Sequence, residues 1–193
     1  PMFVGNLFQQ LYNMVDSAVV GRFVGANALA AVGASGSLVW LFFSLVFGLS
    51  CGIGIIVSQY FGAKDEAAVR RTIATGVYIM LISSVLIFLI TFFAARPVML
   101  LLNTPPEILD DAVMYLKLIS IGMLVVGAYD GVSSVLRALG DSVTPIIFLA
   151  IACALNIALD LVFVIYLGLG VVGVALATVI AEAVASIGIV IFA

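Results

Sequence analysis

Polar side chains in this chain are gathered into short breaks between long apolar runs. A bilayer-spanning α-helix needs about 20 mainly apolar residues. Runs of that kind cover 1–20, 34–59, 72–96, 112–135, 146–168 and 171–193, which predicts six transmembrane helices. The breaks carry turn-forming and charged residues: Gly21-Arg22 with Gly25, Gly62-Ala63-Lys64-Asp65-Glu66, Arg96-Pro97, Pro105-Pro106-Glu107, Gly140-Asp141-Ser142 and Gly168-Leu169-Gly170. Asp110 and Asp111, near the start of the fourth run, suit a helix N-terminus, where the dipole favours acids. A β-barrel is excluded, because its strands would be segments of about 10 residues with alternating polarity.

Composition turns this pattern into a class. Of 193 residues, 65% are hydrophobic and 9% charged, and mean hydropathy is +1.39. Soluble domains carry roughly 25% charged residues, so this chain reads as an all-α integral membrane protein. Its net charge of −3 and its scattered basic residues argue against nucleic acid as a partner. Lys64, Arg70 and Arg71 follow the second run and Arg137 follows the fourth, against Arg22 and Arg96 in odd-numbered connections. By the positive-inside rule, the second and fourth connections and the N-terminal side are expected in the cytoplasm. The chain starts at Pro1 in apolar sequence and stops within the run Ile191-Phe192-Ala193, so a fragment or half of a larger protein is expected. Glycine is frequent within the runs; Gly48 and Gly52 form a small-xxx-small pair expected to let two helices approach closely.

Two motifs suggest enzymes but lack the surroundings their chemistry needs. Gly168-Leu169-Gly170-Val171-Val172-Gly173 spells a dinucleotide fingerprint, but it joins two apolar runs rather than a strand and a helix. Gly48-Leu49-Ser50-Cys51-Gly52 spells a nucleophile elbow, yet the chain has no histidine to serve as base. The same lack removes the commonest zinc and haem ligand. Cys51 and Cys153 lie in apolar runs and read as small buried hydrophobes. No phosphate-binding loop is present, so ATP-driven transport would need another subunit. No enzyme activity and no bound cofactor are expected.

The informative residues are the acids inside the spans: Asp16, Asp130, Asp160 and Glu182. A carboxylate at the bilayer centre costs roughly 2.5–3.5 kcal/mol on insertion scales, so such residues usually face a bundle interior and act there. Gln9, Tyr12 and Asp16 share one helical stripe; Asn156 and Asp160 are an i, i+4 pair, as are Thr178 and Glu182. Two facing carboxyls can share a proton, or hold a monovalent cation with help from neutral Asn and Thr oxygens. This requires the first, fifth and sixth spans to converge. Asp130, seven residues before Arg137, is open to a second reading, a place in a cytoplasmic vestibule. Lys117, inside the fourth span, is expected to snorkel or pair structurally.

At these positions the chain resembles the multidrug and toxic compound extrusion (MATE) family. Pro1 and Asp16 are similar to its first-helix proline and aspartate. Gln59-Tyr60-Phe61-Gly62-Ala63-Lys64 resembles the loop after its second helix, and Arg137-Ala138-Leu139-Gly140-Asp141-Ser142 with Pro145 the loop after its fourth. Leu155-Asn156 with Asp160, then Gly170, Gly173, Ala175 and Thr178, resemble its fifth and sixth helices. The resemblance covers the whole chain and implies the N-terminal six-helix lobe, 1–193, of a twelve-helix transporter whose second lobe is its partner. It implies an antiporter in the cell membrane that exports amphipathic, mostly cationic drug-like compounds in exchange for H⁺ or Na⁺. The coupling residues it implies are Asp16, Asp160, Asn156 and Thr178, which would also be the ligands of any Na⁺. Asp130 and Glu182 match no family pattern; with Gln9 and Tyr12 they are candidates for the cavity or substrate. Phe42, Phe43, Phe47, Phe88 and Tyr129 are candidate cavity aromatics. The alternative is a lipid-linked oligosaccharide or peptidoglycan-precursor flippase of the same superfamily, which would need basic cavity residues such as Lys117 or Arg22.

Overall fold

The computed structural model describes the backbone of residues 2–193 and the side chains of all of these except 2–6, 8, 9, 12 and 13. The expected six helices are present: α1 (Met2–Val19), α2 (Ala26–Gly62), α3 (Glu66–Leu101), α4 (Pro106–Ala138), α5 (Thr144–Asp160) and α6 (Gly170–Phe192). α1 continues into a π-helical turn, Val20–Val24, and α5 into another, Leu161–Tyr166. Five helical segments, α2, α3, α4, α5 with its π turn, and α6, are long and apolar enough to cross a membrane.

α2, α3 and α4 outrun the apolar stretches that announced them at both ends. α2 begins at Ala26 and has 37 residues, which at 1.5 Å per residue is roughly 55 Å against a hydrocarbon core of about 30 Å. Hydropathy marks where lipid begins; backbone hydrogen bonding continues beyond it. The ends are set by local chemistry. After α2, α3 and α4 the chain turns through Lys64 (φ 59), Asn103 (φ 54) and Gly140 (φ 103), all left-handed. The next amide in each case reaches back five residues, from Asp65 to Tyr60, Thr104 to Met99 and Asp141 to Leu136. These closures satisfy carbonyls that a helix end leaves open. Gly140 takes that conformation without the Cβ clash that Lys64 and Asn103 tolerate.

Two expectations change here. The break expected at Arg96-Pro97 is absent, since Pro97 sits inside α3. It is exposed and close to the helix end, so its ring removes one backbone hydrogen bond near the last turn rather than splitting a span. Arg96 beside it pairs with Asp110 of α4 at 2.9 Å. The second correction concerns Gly48 and Gly52, whose Cβ positions meet open space. Close approach occurs instead at Gly54, against Ser134, and at Gly127, against Ser84. The contact face of α2 runs through Ser50 and Gly54, not through the neighbouring stripe.

α4 is the central helix and packs on α2, α3 and α6, while α5 leans on α6 and α1. The main apolar core includes Val46, Val57, Met80, Ile119, Met123 and Val174; a second cluster around Met99, Leu109 and Leu116 joins α3 to α4. The outer faces of α2 and α3 expose Trp40, Leu41, Leu45, Ile82, Leu86 and Phe93, the apolar surface a lipid-embedded bundle requires. Cys51 and Cys153 are not joined in a disulfide.

Candidate functional site

Three helices bring one polar cluster together inside this apolar bundle. α1 supplies Asp16 near its C-terminal end. α5 supplies Asn156 and Asp160, one turn apart and on one face as their i, i+4 spacing requires. α6 supplies Thr178. Asp16 is 7% exposed, Thr178 6%, and Asn156 and Asp160 are 0% exposed. The convergence on which the sequence reading depended is therefore present. Pro1 and the side chains of Gln9 and Tyr12 lie outside the described residues.

Thr178 is the joint of the cluster. Asn156 Nδ2 donates to its Oγ1 at 3.5 Å, and that Oγ1 lies 3.5 Å from Asp16 Oδ2 and 3.0 Å from the Val174 carbonyl. The hydroxyl has one proton for two acceptors, so it serves Asp16 only when it leaves Val174. Asp16 Oδ1, Asn156 Oδ1 and both Asp160 oxygens accept no hydrogen bond. Every one of these buried atoms is an acceptor, so what the cluster lacks is positive charge or a proton. Among the described residues, no group of three or more His, Cys, Asp and Glu side chains is arranged to hold a metal ion. A sodium ion here would need the neutral oxygens of Asn156 and Thr178 as well as the two carboxylates.

Each carboxylate-bearing helix widens just beyond its acid. The π turn Val20–Val24 follows Asp16 by one turn and ends where the Gly25 amide donates to the Val20 carbonyl at 3.0 Å. The π turn Leu161–Tyr166 starts directly after Asp160, and the Leu167 amide donates to the Val162 carbonyl at 2.9 Å. Such turns inside helices recur at functional sites. Apolar periodicity gave no sign of either.

A second polar region lies apart from this cluster. A cavity of about 560 Å³ opens between α2 and α5, floored by α4 and α6, and includes Asp130 and Glu182 in its lining. Asp130 is buried, 6% exposed, and lines this cavity together with Arg137. Phe43, Phe47 and Tyr129 line this cavity as expected. Phe42 packs against the core, and Phe88 meets Phe92 with ring centres 5.5 Å apart and planes tilted by 44°. Sequence reasoning missed the cavity's Arg137 and Ser134. Lys117 is spent on a structural contact, its Nζ standing 5.2 Å from the centre of the Phe92 ring.

Residues 1–162 match the MatE family. The chain belongs to the MATE family. MATE relatives include the probable multidrug resistance protein YpnP of Bacillus subtilis, 33% identical over 96% of this chain and 42% of YpnP. The multidrug export protein MepA of Staphylococcus saprophyticus is 28% identical over 100% of this chain and 43% of its own length. A MATE transporter solved in an outward-facing conformation superposes with a TM-score of 0.94 at 28% identity, over 100% of this chain and 42% of that one. An inward-facing MATE structure gives 0.90 at 27% identity, over 95% and 42%. The chain thus spans about two fifths of the length of the relatives it matches, and its fold is a six-helix lobe of a multi-pass MATE membrane protein.

Proposed function

We propose that the protein of which this lobe is part is a secondary antiporter, exporting amphipathic, mostly cationic compounds in exchange for H⁺ or Na⁺ taken up at Asp16, Asp160, Asn156 and Thr178. The observation that carries this is the set of four buried acceptor oxygens without donors, shared by Asp16, Asn156 and Asp160. An arrangement with only acceptors is stable in apolar surroundings when a proton or small cation completes it, and unstable when both carboxylates are bare. The names of the relatives, multidrug resistance and multidrug export proteins, favour the same class of cargo. The reaction is transport with no covalent step, and the coupling ion is the only non-protein participant besides the cargo.

Ion uptake discharges the Asp16–Asp160 pair and so changes what holds α1 against α5. Exchange follows if ion and cargo differ in affinity for the two orientations of the lobe. The excess of Lys and Arg after the second and fourth spans supports a cytoplasmic side for those connections, with the cell membrane as the compartment. The flippase alternative is disfavoured by charge. Lys117 is held over Phe92, Arg22 is exposed beside Phe23, and the cavity carries two acids against Arg137.

The test is ethidium efflux from vesicles containing the full-length parent under imposed proton and sodium gradients, beside Asp16→Asn and Asp160→Asn. Gradient-driven efflux that survives unaltered in both variants would sink the assigned site. The gradient that drives efflux names the ion.

A further inference from the structure

We propose that the outer seam between α3 and α4 holds one bilayer phospholipid whose headgroup carries a primary amine, as phosphatidylethanolamine does. Its phosphate sits on Lys117 and its ammonium on Asp110 and Glu107. This lipid is a resident of the lobe's outer surface and not cargo, so the proposal stands apart from the export reading. Lys117 and Val126 lie nine residues apart on α4, half a turn round the helix, and Val126 lines the cavity. Lys117 is therefore on the opposite side of α4, where Met114 and Ile121 of the same stripe are 49% and 42% exposed.

An ammonium within a span is costly unless an anion completes it. Lys117 is half-buried, and among the described residues the ion pair is Arg96–Asp110 alone, so no carboxylate neutralises it. The Phe92 ring, 5.2 Å from Nζ, fixes where the charge stands but gives its N–H donors no oxygen. The Arg96–Asp110 contact at 2.9 Å sets α3 and α4 level. Phe92 lies about 6 Å deeper than Arg96 along α3, and Lys117 about 10 Å deeper than Asp110 along α4. The lysine side chain therefore climbs towards the α3–α4 connection, the direction in which side chains lean on α4. Its charge ends about one turn short of the surface pair.

The charges farther out define the headgroup. Glu107, Asp110, Met114 and Lys117 recur at spacings of three and four and share one stripe of α4. From the helix start inwards, the stripe runs acid, acid, apolar, base. Phosphatidylethanolamine presents the matching order: its ammonium is outermost, its phosphate two carbons deeper, and its acyl chains deepest. Glu107 and Asp110 are exposed, and only Asp110 is paired, through one oxygen, to Arg96. These acids attract an ammonium and repel a second anion, so they disfavour a headgroup such as phosphatidylglycerol. Deeper than Lys117, the exposed Ile121 and the Phe88–Phe92 pair give an acyl chain an apolar track.

The experiment is native mass spectrometry of the delipidated full-length parent in detergent. It is titrated with phosphatidylethanolamine, phosphatidylcholine or phosphatidylglycerol of identical acyl chains. The wild type is expected to bind its first phosphatidylethanolamine at least about fivefold more tightly than either other lipid. Lys117→Met keeps the apolar stem, deletes the charge and is expected to raise that Kd about tenfold. Glu107→Gln combined with Asp110→Asn, both at exposed positions, should let phosphatidylglycerol bind as tightly as phosphatidylethanolamine. An unchanged phosphatidylethanolamine Kd in Lys117→Met overturns the proposal. So does a wild type that binds the three lipids equally or prefers phosphatidylglycerol, and so does a preference for phosphatidylethanolamine that survives loss of both acids.

Discussion

The Ser134 hydroxyl donates to the backbone carbonyl of Ser50 at 2.7 Å, tying α4 to α2 through the membrane interior. Ser50 returns a bond of 2.8 Å to the carbonyl of Asp130, so two hydroxyls lock the largest helix interface of the lobe. Gly54 lies one turn beyond Ser50, and a Cβ there would run into Ser134 Oγ. Gly54→Ala must therefore push the two helices apart or evict the Ser134 bond. The expected cost is about 1–3 kcal/mol, read as a lower thermal midpoint of the full-length parent in detergent. Gly48→Ala, whose added methyl meets open space, is the matched control and is expected to leave the midpoint unchanged.

Thr178→Val keeps the shape of the side chain and deletes the hydroxyl that stands between Asn156 and Asp16. Interhelical hydrogen bonds in membranes are worth about 0.6–2 kcal/mol. The concentration of coupling ion giving half-maximal ethidium efflux should therefore rise about 3- to 30-fold. Thr178→Ser restores the hydroxyl and should return most of the affinity. A Ser variant as weak as the Val variant would show that the methyl group, and not the hydroxyl, matters.

Asp141, in the connection before α5, accepts from the Thr144 hydroxyl at 2.6 Å and from the Thr144 and Val143 amides at 3.0 Å each. The Thr144 hydroxyl first, then these amides, hold its carboxyl below its ordinary value of 3.8. A depressed folded-state pKa gives stability that is fully present above the unfolded value and is lost as pH falls through the lower folded one. Protection of the Val143 and Thr144 amides, measured as exchange relative to the intrinsic rate at each pH, should be high at neutral pH and fall below about pH 4. In Asp141→Asn that protection should already be lower at neutral pH and change little further on acidification.

The orientation is checked by single cysteines in a background where Cys51 and Cys153 are serine. Ala63, Leu139 and Asn103 are all exposed at helix ends. A membrane-impermeant maleimide should label Ala63→Cys and Leu139→Cys in inside-out vesicles and Asn103→Cys in intact cells. The reverse pattern would invert the assigned topology.

Much of this architecture was legible because the bilayer forces it. Asp16 and Asp160 announced themselves by cost, and the i, i+4 spacing put Asn156 beside Asp160 before any fold was known. Thr178 came from the resemblance, since an isolated threonine in an apolar helix usually serves packing. The misses share one cause: hydropathy reports what surrounds a helix, not which of its faces meets a neighbour. Gly48/Gly52 and Ser50/Gly54 are equivalent as patterns, and only the rotation of α2 against α4 separates them. Pro97 reads as a stop until its place near the exposed end of α3 is known. Asp130 and Glu182 lie on different helices, so no spacing rule could place them in one cavity.

The two π turns give α1 and α5 a supply of slack beside the carboxyls. A π turn holds one more residue than an α turn, and converting it to α moves everything beyond it by about 1.5 Å and rotates it by roughly 100°. Around Gly25 and Leu167 the chain can therefore take up or release a residue's worth of winding without breaking the helix that carries the acid. Spooling of this kind would let a sub-ångström change at Asp16 or Asp160 reappear at the mouth of the bundle as a turn of the whole helix end.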